Sequence, residues 1–285
     1  MNEVADTAYP DSTSPVQVVA VTSGKGGVGK TSVSVNIAVA LANRDRRVML
    51  MDADLGLANV DVMLGLQPKY NLSHVLDGGC TLQEAIVHGP SDVLIVPAAS
   101  GIQRMAELTE KELAGLIYAF SEFRNALDIL VVDTAAGISD HVMSFSRASN
   151  EVLIVVCDEP ASITDAYALI KVLHREQEIS KFRILANMVQ SQNQGRELYG
   201  KLLKVANRFL DVTLDYVGMV PNDEYLRKAV QRRWPVVNAF PRSRSAAAFN
   251  KLAAAIDSWP IANTSGGRLE FFFERLVNSD SRVAS

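Results

Sequence analysis

The sequence predicts a doubly wound α/β fold, with a mostly parallel sheet and helices on both of its faces. Short apolar runs recur along the chain, and their hydrophobicity is near-continuous rather than alternating, as is typical of parallel strands buried on both faces. Helix-like segments lie between the runs, and this alternation indicates βαβ units. The predicted strands are 16–21, 47–51, 93–96, 129–132, 152–156, 182–186 and 216–220.

Length and composition place most of the chain in one domain. The 285 residues and a hydrophobic fraction of 48% are enough for a single large core, which we assign to residues 16–260. Residues 1–15 are polar and contain proline, so we expect a disordered tail there. Turn-forming residues at 261–267 predict a linker, and a short amphipathic helix is expected at 268–278.

Charge and cysteine content argue against several classes of function. The formal net charge is −4, so no overall basic field attracts nucleic acid, and we expect no direct nucleic-acid binding. The two cysteines, Cys80 and Cys157, do not form a C-x-x-C pair, which disfavours a zinc site or an iron–sulfur cluster. No run reaches the roughly 18 apolar residues that a membrane-spanning helix needs.

The most specific motif is a glycine-rich loop that matches the nucleotide-binding pattern G-x-x-x-x-G-K-[ST]. It follows the predicted strand at 16–21 and precedes a predicted helix at 32–43, which is the context that the motif requires. Backbone N–H groups of such a loop surround phosphate oxygens, and the next helix points its positive N-terminus at the same anion. The motif's lysine reaches the β- and γ-phosphates, and its threonine places a hydroxyl on Mg²⁺. The predicted nucleotide-binding residues are Gly24, Lys25, Gly26, Gly27, Val28, Gly29, Lys30, Thr31 and Ser32.

Carboxylates follow two of the predicted strands. Asp52 and Asp54 come directly after the second run, and Asp133 follows the run at 129–132. Because open α/β sheets bind ligands at the carboxyl ends of their strands, we expect these side chains near the loop. For Asp52 and Asp54 a simple polar turn is the alternative. An apolar strand that ends in an aspartate downstream of a P-loop predicts that Asp133 holds Mg²⁺, directly or through water.

Residues 25–31 resemble the deviant Walker A loop of the MinD/ParA ATPases, in which a second lysine follows the first glycine. The resemblance implies an ATP-dependent homodimer in which Lys25 crosses the interface to the partner's phosphates, as an arginine finger does. It also implies that Asp54 positions or polarises the attacking water, and that ATP and Mg²⁺ are the cofactors. The implied catalytic residues are Lys25, Lys30, Asp54 and Asp133, and the implied residues at the metal are Thr31, Asp54 and Asp133.

Two further segments resemble the parts of this family that contact the base. One follows the predicted strand at 182–186 and the other follows the strand at 216–220. A side-chain amide can both donate to and accept from a base edge. Ordinary turn residues at strand ends give the same pattern, so that interpretation stays open. The implied base-contacting residues are Asn187, Pro221, Asn222 and Asp223.

Four segments narrow the resemblance to a subgroup of the family. Residues 52–61, 133–139, 158–171 and 269–276 resemble the flagellar number regulators of the FleN/FlhG subgroup, and its FleN branch more closely. The resemblance implies an antiactivator that restrains a flagellar master transcription activator of the FleQ type. It also implies a cytoplasmic protein, either free or peripheral at the inner membrane or cell pole. The flagellar GTPase FlhF is a further implied partner, although residues 1–15 lack the motif that stimulates it.

Other functions within the family stay open. A MinD-like division-site regulator would bind lipid strongly in the presence of ATP. A ParA-like DNA-segregation protein would bind DNA with ATP, and that binding would weaken steeply with salt. A cluster carrier or reductase is disfavoured by the missing cysteine pair.

The predicted C-terminal helix has one apolar face. Leu269, Phe272, Phe273 and Leu276 stand at positions i, i+3, i+4 and i+7 of that helix. One interpretation is a helix packed on the domain; the other is a docked helix that ATP-driven dimerisation releases towards a membrane. Two arginines and two glutamates balance each other around this face, so any membrane contact is expected to be weak.

Overall fold

The computed structural model describes residues 15–54, 59–97, 115, 117–120, 122–123, 126–260, 272 and 275–276. The predicted tail apart from Pro15, and the predicted linker at 261–267, lie outside these residues. The strands are β1 (Gln17–Ser23), β2 (Val48–Ala53), β3 (Val87–His88), β4 (Leu94–Val96), β5 (Ile129–Ala136), β6 (Glu151–Cys157), β7 (Lys181–Val189) and β8 (Thr213–Pro221). The helices are α1 (Lys30–Ala42), α2 (Val60–Leu64), α3 (Leu72–Leu76), α4 (Leu82–Ala85), α5 (Asp140–Ala148), α6 (Pro160–Gln177), α7 (Gln192–Phe209), α8 (Glu224–Gln231), α9 (Val236–Ala239) and α10 (Arg244–Asp257).

These strands form one sheet in the order β3-β4-β2-β5-β1-β6-β7-β8. Every pair within it is parallel except β3–β4, which is antiparallel. The sheet grows in both directions from β1, so the predicted doubly wound fold class is confirmed. All of the predicted strands are present, with ends shifted by at most four residues. The sequence did not predict β3, because a two-residue strand is too short to carry a hydrophobic pattern.

Helices cover both faces of the sheet. On one face α1 and α10 pack over its centre, in a core that includes Val19, Leu50 and Phe249. On the other face one cluster gathers around Phe145 of α5, and a second cluster lies under α6 and α7. The central strands are therefore buried on both sides, which is the physical reason for their near-continuous apolar sequence.

Both edges of the sheet are short or irregular. β3 contains two residues and runs antiparallel to β4, and it is the last strand on that side among the described residues. At the other edge β8 pairs with β7 through two register shifts, and Gly218 within it has a φ of 133°. Short or kinked edge strands present a poor template for pairing with the strand of another molecule.

The carboxyl ends of the central strands meet at one side of the sheet. Asp133 on β5 stands level with Val21 on β1 and with Asp52 on β2. The glycine-rich loop leaves β1 at this same side, next to β5, which carries Asp133 and pairs with β2. The fold therefore gathers the predicted phosphate loop and the predicted carboxylates where open α/β sheets bind their ligands.

Candidate nucleotide-binding site

The loop between β1 and α1 lines a cavity of about 530 Å³. A cavity of several hundred Å³ is in the size range of small-molecule and cofactor sites. Its walls also include Asp54 after β2, two residues of α2, and the region around the end of α8. The lining residues are Ser23, Lys25, Gly26, Gly27, Val28, Gly29, Lys30, Thr31, Ser32, Asp54, Asn59, Val62, Met63, Ala136, Val230, Gln231 and Arg233.

Two glycines of the loop are required by its packing. A Cβ atom on Gly24 would lie 2.2 Å from the backbone carbonyl of Asp165 in α6, so only glycine permits this close approach. Gly29, which caps the start of α1, has a φ of 83°, in the left-handed region that favours glycine. Gly24 therefore shapes the loop against α6 and is the one predicted loop residue, among positions 24–32, that does not line the cavity.

Lys30 and Asp133 form an ion pair beneath the loop. The Nζ atom of Lys30, the first residue of α1, lies 3.5 Å from Oδ1 of Asp133. Ser34, one turn further along α1, donates its hydroxyl to the same oxygen at 2.8 Å. All three side chains are buried, so the charges on Lys30 and Asp133 interact with little screening by solvent.

Asp133 has an oxygen that fits a metal ion. Burial raises the pKa of this carboxyl above its usual range, against the opposing effects of Lys30, Thr31 and Ser34. Its second oxygen, Oδ2, is buried and has no hydrogen-bond partner among the described residues. A carboxylate oxygen and the Thr31 hydroxyl at the cavity wall are the hard oxygen ligands that Mg²⁺ prefers. The residues present therefore fit a Mg²⁺ ion.

Asp52 organises the loop that carries Asp54. Its carboxylate accepts the backbone N–H groups of Asp54 at 3.1 Å, Asn59 at 2.9 Å and Val60 at 3.1 Å. Burial, followed by the nearby charge of Asp133, raises the pKa of Asp52 to about 6. Asp54 itself is half-buried and faces the cavity. The two aspartates thus differ in position, because Asp52 anchors backbone while Asp54 lies where a ligand would bind.

Lys25, the second lysine of the loop, forms an ion pair within its own chain. Its Nζ atom lies 2.7 Å from Oε2 of Glu159, the residue just before α6. The hydrogen bond and charge of Glu159 raise the pKa of the Lys25 amine. Lys25 therefore stands at the rim of the cavity with its charge turned towards α6.

Asn187 contacts the loop rather than the open cavity. It lies inside β7, is 1% exposed, and donates its amide Nδ2 to the carbonyl of Val28 at 2.7 Å. Its Oδ1 atom is buried and has no hydrogen-bond partner among the described residues. The amide thus supports the loop with one end and offers a vacant acceptor at the other.

The segment 221–223 lies away from the phosphate cavity. Asp223 caps α8 through the N–H of Tyr225, and it also accepts the N–H and hydroxyl of Ser245 in α10. Pro221 lines a separate cavity of about 220 Å³ beside Arg244. The carboxylate of Asp223 is therefore engaged in joining α8 to α10.

The described part of the C-terminal helix packs on the domain. Phe272 and Leu276 are 1% and 4% exposed, within the core cluster of Phe145. The rings of Phe145 and Phe272 lie 6.2 Å apart, centre to centre. Leu269 and Phe273, the other predicted residues of this face, lie outside the described residues.

Sequence reasoning missed several residues at this site, among them Ser34, Glu159 and Arg233, which carry polar or charged groups. Ser34 follows Lys30 by one helical turn, and this spacing is a signal that could have placed it beside the same ligand. Glu159 and Arg233 reach the loop and the cavity wall from distant parts of the chain. No local pattern marks them, because their roles arise from tertiary packing.

Comparison with known proteins agrees with this geometry. The ParA family model, described as "NUBPL iron-transfer P-loop NTPase", matches residues 15–257. The antiactivator FleN of Pseudomonas aeruginosa is 60% identical over 263 residues, which cover 92% of this chain and 94% of that protein. The flagellum site-determining protein YlxH of Helicobacter pylori is 32% identical, covering 97% and 95%. The chain belongs to the MinD/ParA family of P-loop NTPases.

Within this family the chain is a homologue of FleN and YlxH. It is also similar to the solved structure of MinD from Pyrococcus horikoshii in complex with Mg-ADP. The TM-score is 0.66 at 26% sequence identity, covering 85% of this chain and 96% of that one. Among the described helices none is both long enough and apolar enough to cross a membrane. The described residues also contain no group of three or more His, Cys, Asp or Glu arranged to hold a metal ion.

Proposed function

We propose that this protein is a Mg²⁺-dependent ATPase switch in which bound ATP joins two protomers. The observation that carries the proposal is a second lysine, Lys25, at a cavity that is already lined by Lys30 and Asp54. Asp133 lies behind Lys30, at 3.5 Å from its Nζ atom. One lysine suffices to bind phosphates within a protomer. We propose that the second reaches a nucleotide held by a partner, which would link ATP occupancy to dimerisation.

The residues of one protomer take separate roles towards ATP. The loop N–H groups and Lys30 bind the β- and γ-phosphates. Thr31 and Asp133 hold Mg²⁺, which when bound neutralises negative charge on the phosphates. Asp54, which lines the same cavity, would orient the attacking water. The buried, vacant Oδ1 of Asn187 supports a contact with a donor on the base, and residues 221–223 are proposed as the second base-contacting segment.

The ion pair beneath the loop supports a role for Lys30 in sensing the nucleotide. The buried lysine has Asp133 as its counterion at 3.5 Å. A bound triphosphate offers several negative oxygens to Lys30, and Mg²⁺ offers Asp133 a positive partner. Both charges therefore stay compensated when the site exchanges one set of partners for the other.

The regulatory output is proposed from the relatives. FleN is named an antiactivator, and the identity of 60% extends over almost the whole of both chains. We therefore assign this chain to control of flagellar number, with the ATP dimer as the form that inhibits a FleQ-like transcription activator. The cytoplasm is the proposed location, with FlhF as a further partner and only weak membrane contact.

The dimer mechanism is tested by replacing the second lysine. A Lys25→Ala protein should bind ATP but should lose ATP-dependent dimerisation, measured by analytical ultracentrifugation, together with most of its ATP hydrolysis. Lys204→Ala on the exposed side of α7 is the matched control and should behave as the wild type. Normal dimerisation and hydrolysis by Lys25→Ala would contradict the mechanism.

The regulatory partner is tested by a binding assay with the activator. Immobilised protein loaded with ATP should retain a purified FleQ-like activator, and protein loaded with ADP should retain much less. Liposome co-sedimentation in the same two nucleotide states tests the membrane alternative. Equal activator retention with ATP and ADP, or strong ATP-dependent pelleting without activator binding, would overturn the antiactivator assignment.

A further inference from the structure

Lys25, the lysine proposed to act across the dimer interface, forms an ion pair with Glu159 of its own chain. The N–O distance of this pair is 2.7 Å, with side-chain exposures of 39% for Lys25 and 59% for Glu159. The pair joins residues 134 positions apart in the chain, so it depends on the folded arrangement of the loop and α6. In a single protomer the signature lysine of the loop is thus already bound to a carboxylate of its own chain.

The backbone around Glu159 holds its side chain beside the loop. The N–H of Glu159 donates to the carbonyl of Cys157 at 2.8 Å, and its own carbonyl accepts from Ile163 at 3.1 Å. A few residues later, the backbone at Asp165 lies against Gly24 so closely that no Cβ fits between them. The first two turns of α6 and the start of the loop are therefore packed as one unit.

The neighbouring carboxylate points elsewhere. Asp158 accepts a hydrogen bond from Gln194 at 2.7 Å and forms an ion pair with Lys201 at 3.3 Å, both on α7. Adjacent residues of one short turn thus have different partners, Glu159 on the loop and Asp158 on α7. This separation provides a matched control for the role of Glu159.

From this geometry we infer that Glu159 is a positioning residue that holds Lys25 in its own protomer and thereby opposes dimerisation. The inference rests on the proposed role of Lys25 across the dimer. Reaching the phosphates of a partner's nucleotide draws the Lys25 ammonium across the interface and away from Glu159 of its own chain. Dimerisation must break the pair, and a γ-phosphate supplies the additional negative charge that ADP lacks. Glu159 thus raises the dissociation constant of either dimer, and only the ATP dimer gains the γ-phosphate contact that offsets this cost.

The expected change in the dimer dissociation constant follows from the solvent exposure of the Lys25 and Glu159 side chains. An exposed ion pair changes an equilibrium by up to about fivefold, because solvent screens it and two long side chains lose freedom. A symmetric dimer breaks two such pairs, so the dimer dissociation constant should change by up to about 25-fold. Asp165 also acts on Lys25 and stays in place when Glu159 is replaced, which limits the change. The effect should shrink at high salt.

The test compares Glu159→Gln with Asp158→Asn. Dimerisation is titrated by analytical ultracentrifugation with a non-hydrolysable ATP analogue, with ADP, and without nucleotide. Glu159→Gln should lower the dissociation constant of the analogue-bound dimer by about 3- to 25-fold, whereas Asp158→Asn should leave it unchanged. An unchanged or raised constant for Glu159→Gln overturns the inference. If the wild type does not dimerise with the analogue, the proposed function fails, and the inference fails with it.

A second measurement reports the pair itself. Acylation of Lys25 in the nucleotide-free protein, followed by mass spectrometry, should be faster in Glu159→Gln because the amine loses its carboxylate partner. Asp158→Asn should leave the rate unchanged, and Glu159→Asp should lie between the wild type and Glu159→Gln. Equal acylation rates in the wild type and Glu159→Gln overturn the holding role, whatever the dimer constants are.

Discussion

Replacing Phe272 with alanine tests whether the C-terminal helix is part of the folded domain. The Phe272 side chain is 1% exposed and packs against Phe145. Returning such a ring to water costs about 2–3 kcal/mol. A residual cavity of roughly 100 Å³ adds about 2 kcal/mol at ~24 cal/mol per Å³. The Phe272→Ala protein should therefore lose about 4 kcal/mol of unfolding free energy, or roughly 10 °C in Tm.

The assay is urea unfolding followed by circular dichroism, without nucleotide. The matched control is Phe209→Ala, because Phe209 at the end of α7 is 58% exposed and its removal should change the unfolding free energy by less than about 0.5 kcal/mol. A loss below about 1 kcal/mol for Phe272→Ala would refute the packing described above. If ATP-driven dimerisation releases the helix, the penalty of Phe272→Ala should become smaller in the ATP-bound dimer.

Two further predictions concern the cavity walls. The pKa of Asp52, about 6 in the folded protein against 3.8 as its ordinary value, means that its proton binds more tightly when the chain is folded. The protonated Asp52 carboxyl therefore stabilises the fold fully below about pH 4, and this stabilisation, ~3 kcal/mol in all, is lost as pH rises through about 6. Asp52→Asn should remove this part of the pH dependence of the unfolding free energy, measured by urea unfolding. Arg233 has a φ of 54°, whereas Arg232 has a φ of −84°. Arg233→Gly should therefore raise the unfolding free energy by about 0.5–1 kcal/mol, while Arg232→Gly should lower it by a similar amount, and the same sign for both would contradict the backbone argument.

The sheet was predictable because its strands carry a strong and local signal. Runs such as 129–132 and 152–156 are apolar at every position, since helices cover both faces of these strands. Their exact ends were not predictable. Asn187 interrupts the apolar pattern yet lies within β7, because pairing with β6 reaches it and pairing with β8 continues past it to Val189. Tertiary pairing there outweighs the local preference of the residue.

The site residues were predictable where a functional side chain lies close in sequence to the end of a strand or the start of a helix. Lys30 begins α1 and Asp54 follows β2, and both line one cavity. Asp133, near the end of β5, pairs with Lys30 beneath it. Glu159 was not predictable, because its partner Lys25 is fixed only by the packing of α6 against the loop. Asp223 carries an acidic side chain after a strand, as Asp54 does, but joins two helices instead. Sequence alone does not separate these two uses of a carboxylate.

The irregular edges of the sheet have a consequence for reversible assembly. A protein that pairs and separates with each cycle of hydrolysis needs one route of self-association that its nucleotide controls. Strand-to-strand pairing is not under such control, and once begun it tends to extend from molecule to molecule. The two-residue strand β3 and the kinked strand β8 close off that route at both ends of the sheet. Crowding of protomers at one place in the cell would then increase nucleotide-dependent pairing without seeding an aggregate.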